Sequence, residues 1–222
     1  MGWFRRPPAP PAVPDRPDGF GYKMAWFAVR GLAPAGVAAT LGLGRVRPCN
    51  WAAGVAAVYA RDWPPRNVFV TPPVQGWVFA VGWPLVFARQ RDWLDVPRVV
   101  APLRELSRTG VACFFSSHRV SESHVWAKAE AGGMVRAYGY ESSHDGLRWE
   151  VGRPTPEELA AGAVFPPTPA DGEREADEDA VWSPGEEHVV AVAAGWSLDP
   201  TTLGDRPGEP GVGLLGRPSG RG

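Results

Sequence analysis

His124-Val-Trp-Ala-Lys-Ala-Glu130, Ala131-Gly132-Gly133 and Met134-Val-Arg-Ala-Tyr-Gly-Tyr140 form the stretch that decides the fold class. Both arms alternate with a period of two, which is the period of a β-strand. The Gly-rich break between them reads as a three-residue hairpin loop. Closing it there sets Glu130 opposite Met134, Lys128 opposite Arg136, Trp126 opposite Tyr138 and His124 opposite Tyr140. Val125, Ala127, Ala129, Val135, Ala137 and Gly139 then share one face. Their small apolar side chains let a helix approach, so this is the expected core side. The other face carries His124, Trp126, Lys128, Glu130, Arg136, Tyr138 and Tyr140 and is large, aromatic and basic.

Working outward, residues 111–117 and 147–151 read as the flanking strands. Residues 24–29, 67–71 and 77–81 read as further strands, the last two joined as a hairpin through Pro72-Pro73-Val74-Gln75-Gly76. Helices are expected at 35–43, after the N-cap Asn50, around Val99–Leu106 beginning at Pro102, and after the capping box Thr155-Pro156-Glu157-Glu158. A last one follows Ser183-Pro184-Gly185-Glu186, with Val189, Val192, Ala193 and Trp196 at i, i+3, i+4 and i+7. Asp199-Pro200 opens a final turn. Strands that arrive in consecutive pairs predict the α+β class, with an antiparallel or mixed sheet and helices packed mainly on one face.

The ends read differently. Residues 1–18 are expected to be a disordered Pro-rich tail, with six prolines between Arg5 and Asp18. Residues 204–222, rich in Gly and Pro and without periodicity, are expected to be a second disordered tail. Between them lies a single domain, 19–203, interrupted by an acidic loop at 166–183. Residues 171–187 carry a net charge of −7 and residues 19–170 a net charge of +5, so an acidic segment sits beside a basic body. Eleven Trp are enough to build a substantial core. No apolar run follows Arg5-Arg6 and none is long enough to span a membrane, which makes the cytoplasm the expected compartment. Cys49 and Cys113 have no metal-ligand or redox spacing and read as free thiols in a reducing compartment.

For function, the aromatic–basic face offers cations to neutralise an anion and rings for flat contact. The expected ligand-binding residues are therefore Arg119, His124, Trp126, Lys128, Arg136, Tyr138 and Tyr140. The expected activity is non-catalytic binding of a protein partner or a small anionic ligand, as in an immunity- or inhibitor-type module. Trp126 and Tyr138 packed under a loop or the last helix is the structural alternative. The segment Ser116-Ser117-His118 through His124, with Glu122, suggests a hydrolase or transferase using His118 or His124 as base and Ser117 as hydroxyl. It lacks a GxSxG elbow. Aromatic rings interleaved with cations also suit single-stranded nucleic acid, but a sequence pI near 6.4 argues against it. No nucleotide-binding or zinc motif is present, so neither cofactor nor metal is expected.

Overall fold

A computed structural model describes residues 12–60, 65–86, 95–142, 146–165 and 183–219. In chain order the elements are β1 (Met24–Arg30), α1 (Pro34–Thr40), β2 (Leu43–Asn50), α2 (Trp51–Tyr59), β3 (Val68–Val70), β4 (Trp77–Val81) and α3 (Val96–Leu106). There follow β5 (Val111–His118), β6 (Ser123–Glu130), β7 (Gly133–Glu141), β8 (Gly146–Val151), α4 (Pro156–Ala160), α5 (Glu186–Trp196) and β9 (Val212–Pro218). Short 3-10 turns lie at Trp83–Leu85 and Pro200–Asp205. The described strands form one nine-stranded sheet in the order β2-β9-β3-β4-β1-β5-β6-β7-β8. Every neighbouring pair is antiparallel. The α+β class expected from the sequence is present, and of the two expected sheet types, antiparallel or mixed, the sheet is antiparallel.

The helices divide between the two faces instead of gathering mainly on one. On one face Met24, Trp26, Phe69, Phe79, Phe115, Trp126 and Tyr138 form a core under α2 and α5. On the other, Ala25, Phe27, Val29, Val78, Phe114, Val125 and Ala127 form a second core against α1 and α3. The strand composition carried a signal for this. MAWFAV in β1, VFV in β3 and WVFAV in β4 are continuous apolar runs, and every one of those residues is buried. Strands covered on both faces read as continuous runs, and strands with one wet face alternate.

The β6–β7 register agrees with the sequence reading at His124↔Tyr140, Trp126↔Tyr138 and Lys128↔Arg136. The turn differs. Glu130 pairs with Gly133 and Ala129 with Met134, with a bulge after Lys128. The loop therefore has two residues, Ala131 (φ 48°) and Gly132 (φ 80°). Positive φ at both central positions is the requirement of a type I′ turn, whose twist matches that of the strands.

Of the expected tail 204–222, residues 220–222 lie outside the described residues, and the described residues 204–219 are not free: β9 lies inside the sheet, between β2 and β3. Its glycines, which read as disorder, are what admit it there. A Cβ at Gly213 would strike the Val70 carbonyl oxygen and the Phe69 ring. β2, at the sheet edge, was also missed. Four of its eight residues are exposed, and Pro48 is tolerated at an edge. Residues 12–18 are likewise tied down. The Asp15 carboxylate accepts the Trp51 and Ala52 N–H groups at 2.6 and 3.0 Å, and its backbone carbonyl accepts Gly211 N–H at 2.9 Å.

Helix ends follow local chemistry. Asn50 accepts Ala53 N–H, and Thr155 and Glu158 form the expected capping box. α3 begins one and a half turns earlier than Pro102, because Asp95 caps it through Arg98 N–H. The cap of α5 is Gly185 and not Ser183, with His188 Nδ1 accepting Gly185 N–H. The acidic loop 166–183 (except Ser183), His144, Trp63, Trp93 and Trp182 lie outside the described residues.

Candidate functional site

The aromatic–basic face of β6 and β7 is closed. Trp126, Arg136, Tyr138 and His124 are exposed by 3% or less and Tyr140 by 8%. Trp126 and Tyr138 stack at 4.9 Å between centroids, and Phe165 meets Tyr138 edge-on at 5.2 Å. Trp196 of α5 lies 6.0 Å from the Lys128 ammonium. The face expected to hold a ligand is thus the floor of the aromatic core, and burial of such large rings is what stabilises it. Of the seven expected ligand-binding residues, Arg119 alone is exposed, on the β5–β6 turn, and Lys128 is half-buried.

Two like charges face each other at Lys128 and Arg136, which calls for an anion. The protein supplies three of its own, Glu130, Glu150 and Glu158. Glu130 takes Lys128 at 2.9 Å. Glu158, the capping-box residue of α4, is fully buried and takes Arg136 Nε at 2.9 Å, while also accepting Trp126 Nε1–H at 2.6 Å and Thr155 N–H at 2.6 Å. Arg136 Nη1 donates to Glu150, to the Gly152 carbonyl and to the Val151 carbonyl. One acidic side chain thereby caps a helix, neutralises a buried guanidinium and satisfies an indole. The spacing Thr155-x-x-Glu158 revealed the cap, but nothing local revealed the ion pair.

The Ser/His group does assemble in part. Ser117 and His124 are register partners on β5 and β6, with Oγ and Nδ1 3.3 Å apart. Burial pushes the His124 imidazole down to about 4, against opposing carboxylates Glu186, Glu187 and Glu122, so the ring is neutral at pH 7. A hydroxyl beside a neutral imidazole is the beginning of a nucleophile. Both groups are almost without solvent contact, however, so a substrate carbonyl has no approach to Ser117. His118 turns to Ser121 Oγ at 2.8 Å, closing the β5–β6 turn. Its imidazole is also pushed down, chiefly by burial and then by Lys23.

Among the described residues no three His, Cys, Asp or Glu side chains converge on a possible metal position. Cys49 and Cys113 are unbridged and buried; burial raises their thiols to about 11 and about 12, so both stay protonated. No described helix is long and apolar enough to cross a membrane.

An open site lies on the opposite sheet face. α1 and α3 splay over β1, leaving a groove of about 740 Å³. That volume falls within the ordinary range for small-molecule sites. Phe27, Leu85, Leu41, Ala101 and Pro102 supply apolar surface. Arg98 and Glu105 stand two turns apart on α3 and both line it. Arg108 pairs with Glu105 at 3.0 Å, whereas Arg98 has no ion pair among the described residues. The Arg98 Nη2 donates to the Pro84 carbonyl at 3.0 Å, which holds the guanidinium at the groove. Pro102, lacking an N–H, has nothing to give the Arg98 carbonyl. Sequence reasoning missed this site because the α1–α3 gap exists only once both helices are laid on the sheet.

No protein family, curated protein or solved structure matches the chain.

Proposed function

We propose that the protein is a non-catalytic binding protein for a small amphipathic anion, an apolar body carrying a carboxylate or phosphate, seated in the groove between α1 and α3. The observation that carries this reading is Arg98. It is a guanidinium held by a backbone carbonyl on the wall of an apolar groove, with the neighbouring carboxylate Glu105 already engaged by Arg108. The apolar floor takes the body of the ligand, and the charge-assisted bond to Arg98 fixes its orientation. The buried Ser117–His124 pair favours a structural role for those residues over catalysis. The sequence-derived reading of anion binding is kept, but moved from the β6–β7 face to a surface that solvent reaches.

The test is isothermal titration with decanoate and decyl phosphate. The wild-type chain is expected to bind one equivalent. Arg98→Glu should abolish binding with little loss of melting temperature, because the side chain contributes one hydrogen bond of about 1 kcal/mol. Ala101→Trp, which fills the groove, should do the same. Absence of binding to wild type, or binding indifferent to both substitutions, would discard the groove as the site.

A further inference from the structure

We infer that a second recess, on the opposite sheet face from the groove, is a binding site for an alkylated ammonium ion. Its walls are the turn at Asp18–Tyr22, Tyr59 at the end of α2, and Thr201, Gly204 and Asp205; its volume is about 630 Å³. Tyr22 and Tyr59 are 55% and 40% exposed, unusually open for two neighbouring aromatic rings. Their mounting is nonetheless fixed. Tyr59 Oη accepts Gly21 N–H at 3.1 Å and donates to the Tyr22 carbonyl at 3.0 Å. Lys23 N–H is held by Glu186 at 2.7 Å. The backbone is thus anchored on both sides of Tyr22, whose ring is left in solvent, and the Tyr59 ring is held through its own hydroxyl. For Tyr59, a ring held in place and left open has already lost freedom that binding would otherwise cost.

The charge of the recess selects its occupant. Asp18 and Asp205 both line it, neither forms an ion pair among the described residues, and no basic side chain is part of the wall. Phe20 continues the aromatic surface inward. An anion is repelled here, and a small metal ion would have to shed a tightly held water shell before it could meet the rings, which an alkylated ammonium does not. A cation sheathed in methyl groups satisfies every wall at once, through ring faces and two carboxylates. A free quaternary ammonium and a methylated lysine side chain share this chemistry.

The full-length chain is titrated with tetramethylammonium chloride at constant ionic strength, following the tyrosine ring signals by NMR. Tert-butanol, a neutral molecule of similar size, is the control. Saturable shifts at Tyr22 and Tyr59 with tetramethylammonium, and none with tert-butanol, are expected. Tyr22→Leu and Asp205→Asn are both surface changes whose folding is checked by circular dichroism. Each should weaken binding about fivefold. Choline and a trimethyl-lysine peptide then separate the sources. A peptide that binds about tenfold tighter assigns the site to protein side chains, and equal affinities assign it to a free cation. No saturation, an equal response to tert-butanol, or affinity unchanged in both variants overturns the inference. Because Arg98 lies on the other face, its variants serve as a control that must leave this titration unaltered.

Discussion

Arg136 and Glu158 are the residues on which the aromatic core most depends. Both are fully buried and pair at 2.9 Å, and Arg136 also pairs with the more exposed Glu150 at 2.9 Å. Removing Arg136 leaves Glu158 charged and unpaired in the interior, and removing Glu158 leaves the Arg136 guanidinium with Glu150 alone; breaking such a buried pair costs about 3–5 kcal/mol. Arg136→Met and Glu158→Leu should each lower the urea midpoint by that amount. The double variant Arg136→Met/Glu158→Leu should recover part of it, because an apolar pair leaves no orphaned charge. Denaturation curves with additive losses would show that the two residues do not act as a pair. His124 gives a pH prediction. Burial first, against the pull of Glu186, Glu187 and Glu122, depresses its folded pKa from 6.5 to about 4. A depressed imidazole pKa means that the folded state resists a proton the unfolded chain accepts. Stability is therefore full above about pH 6.5 and falls as the pH drops towards 4, by about 3 kcal/mol in total. His124→Gln, which keeps a partner for Ser117, should flatten the stability profile between pH 6.5 and 4. A variant profile parallel to wild type would reject this assignment.

At the scale of elements, the β6–β7 hairpin carries a cost at Ala131, which sits at φ 48°. An L-residue with a Cβ loses roughly 1–2 kcal/mol in that region, and glycine does not. Ala131→Gly is expected to raise stability by about 0.5–1 kcal/mol after its greater unfolded-state entropy is subtracted, as calorimetry would read. Position 54 in α2 behaves in the opposite sense. A Cβ there would drive into the Phe69 ring, so Gly54→Ala should destabilise by about 1–3 kcal/mol despite alanine's better helix propensity. A gain in melting temperature would mean that α2 can lift from β3 at no cost. Both residues were visible in the sequence. Their consequences were not, since Ala131 reads as part of a three-residue loop and nothing within α2 shows that Gly54 meets the Phe69 ring.

For the molecule as a whole, the chain after residue 204 supplies an interior strand of the sheet. β9 pairs with β2 on one side and β3 on the other. Truncation at Gly204 would expose the edge of β3 and leave β2 without a neighbour, and exposed edges template aggregation. We expect the truncated chain to be insoluble or unfolded by circular dichroism. A folded, cooperative truncation product would contradict the central placement of β9. Asp15→Ala at the other end should lose only about 1–2 kcal/mol, the value of a helix cap, because it removes side-chain acceptors and no strand.

The amino-acid sequence by itself determined what is set within a few residues. The alternation of 124–130 and 134–140, the caps at Asn50 and Thr155, and the apolar stripe of α5 all depend on periods and hydrogen bonds that a short segment contains. It also determined which residues face which across the β6–β7 pair, as far as the bulge. Tertiary structure alone decided whether the aromatic–basic face would meet solvent or a helix. Alternation separates two faces of a strand, and it does not say what lies beyond either one. Arg136 reads as a ligand-binding cation until α4 brings a buried carboxylate to it. The Gly-rich run 212–218 reads as disorder until Phe69 and Val70 require the space its glycines leave. The α1–α3 groove and the Tyr22–Tyr59 recess likewise come from elements far apart in the chain, brought together only by closure of the sheet.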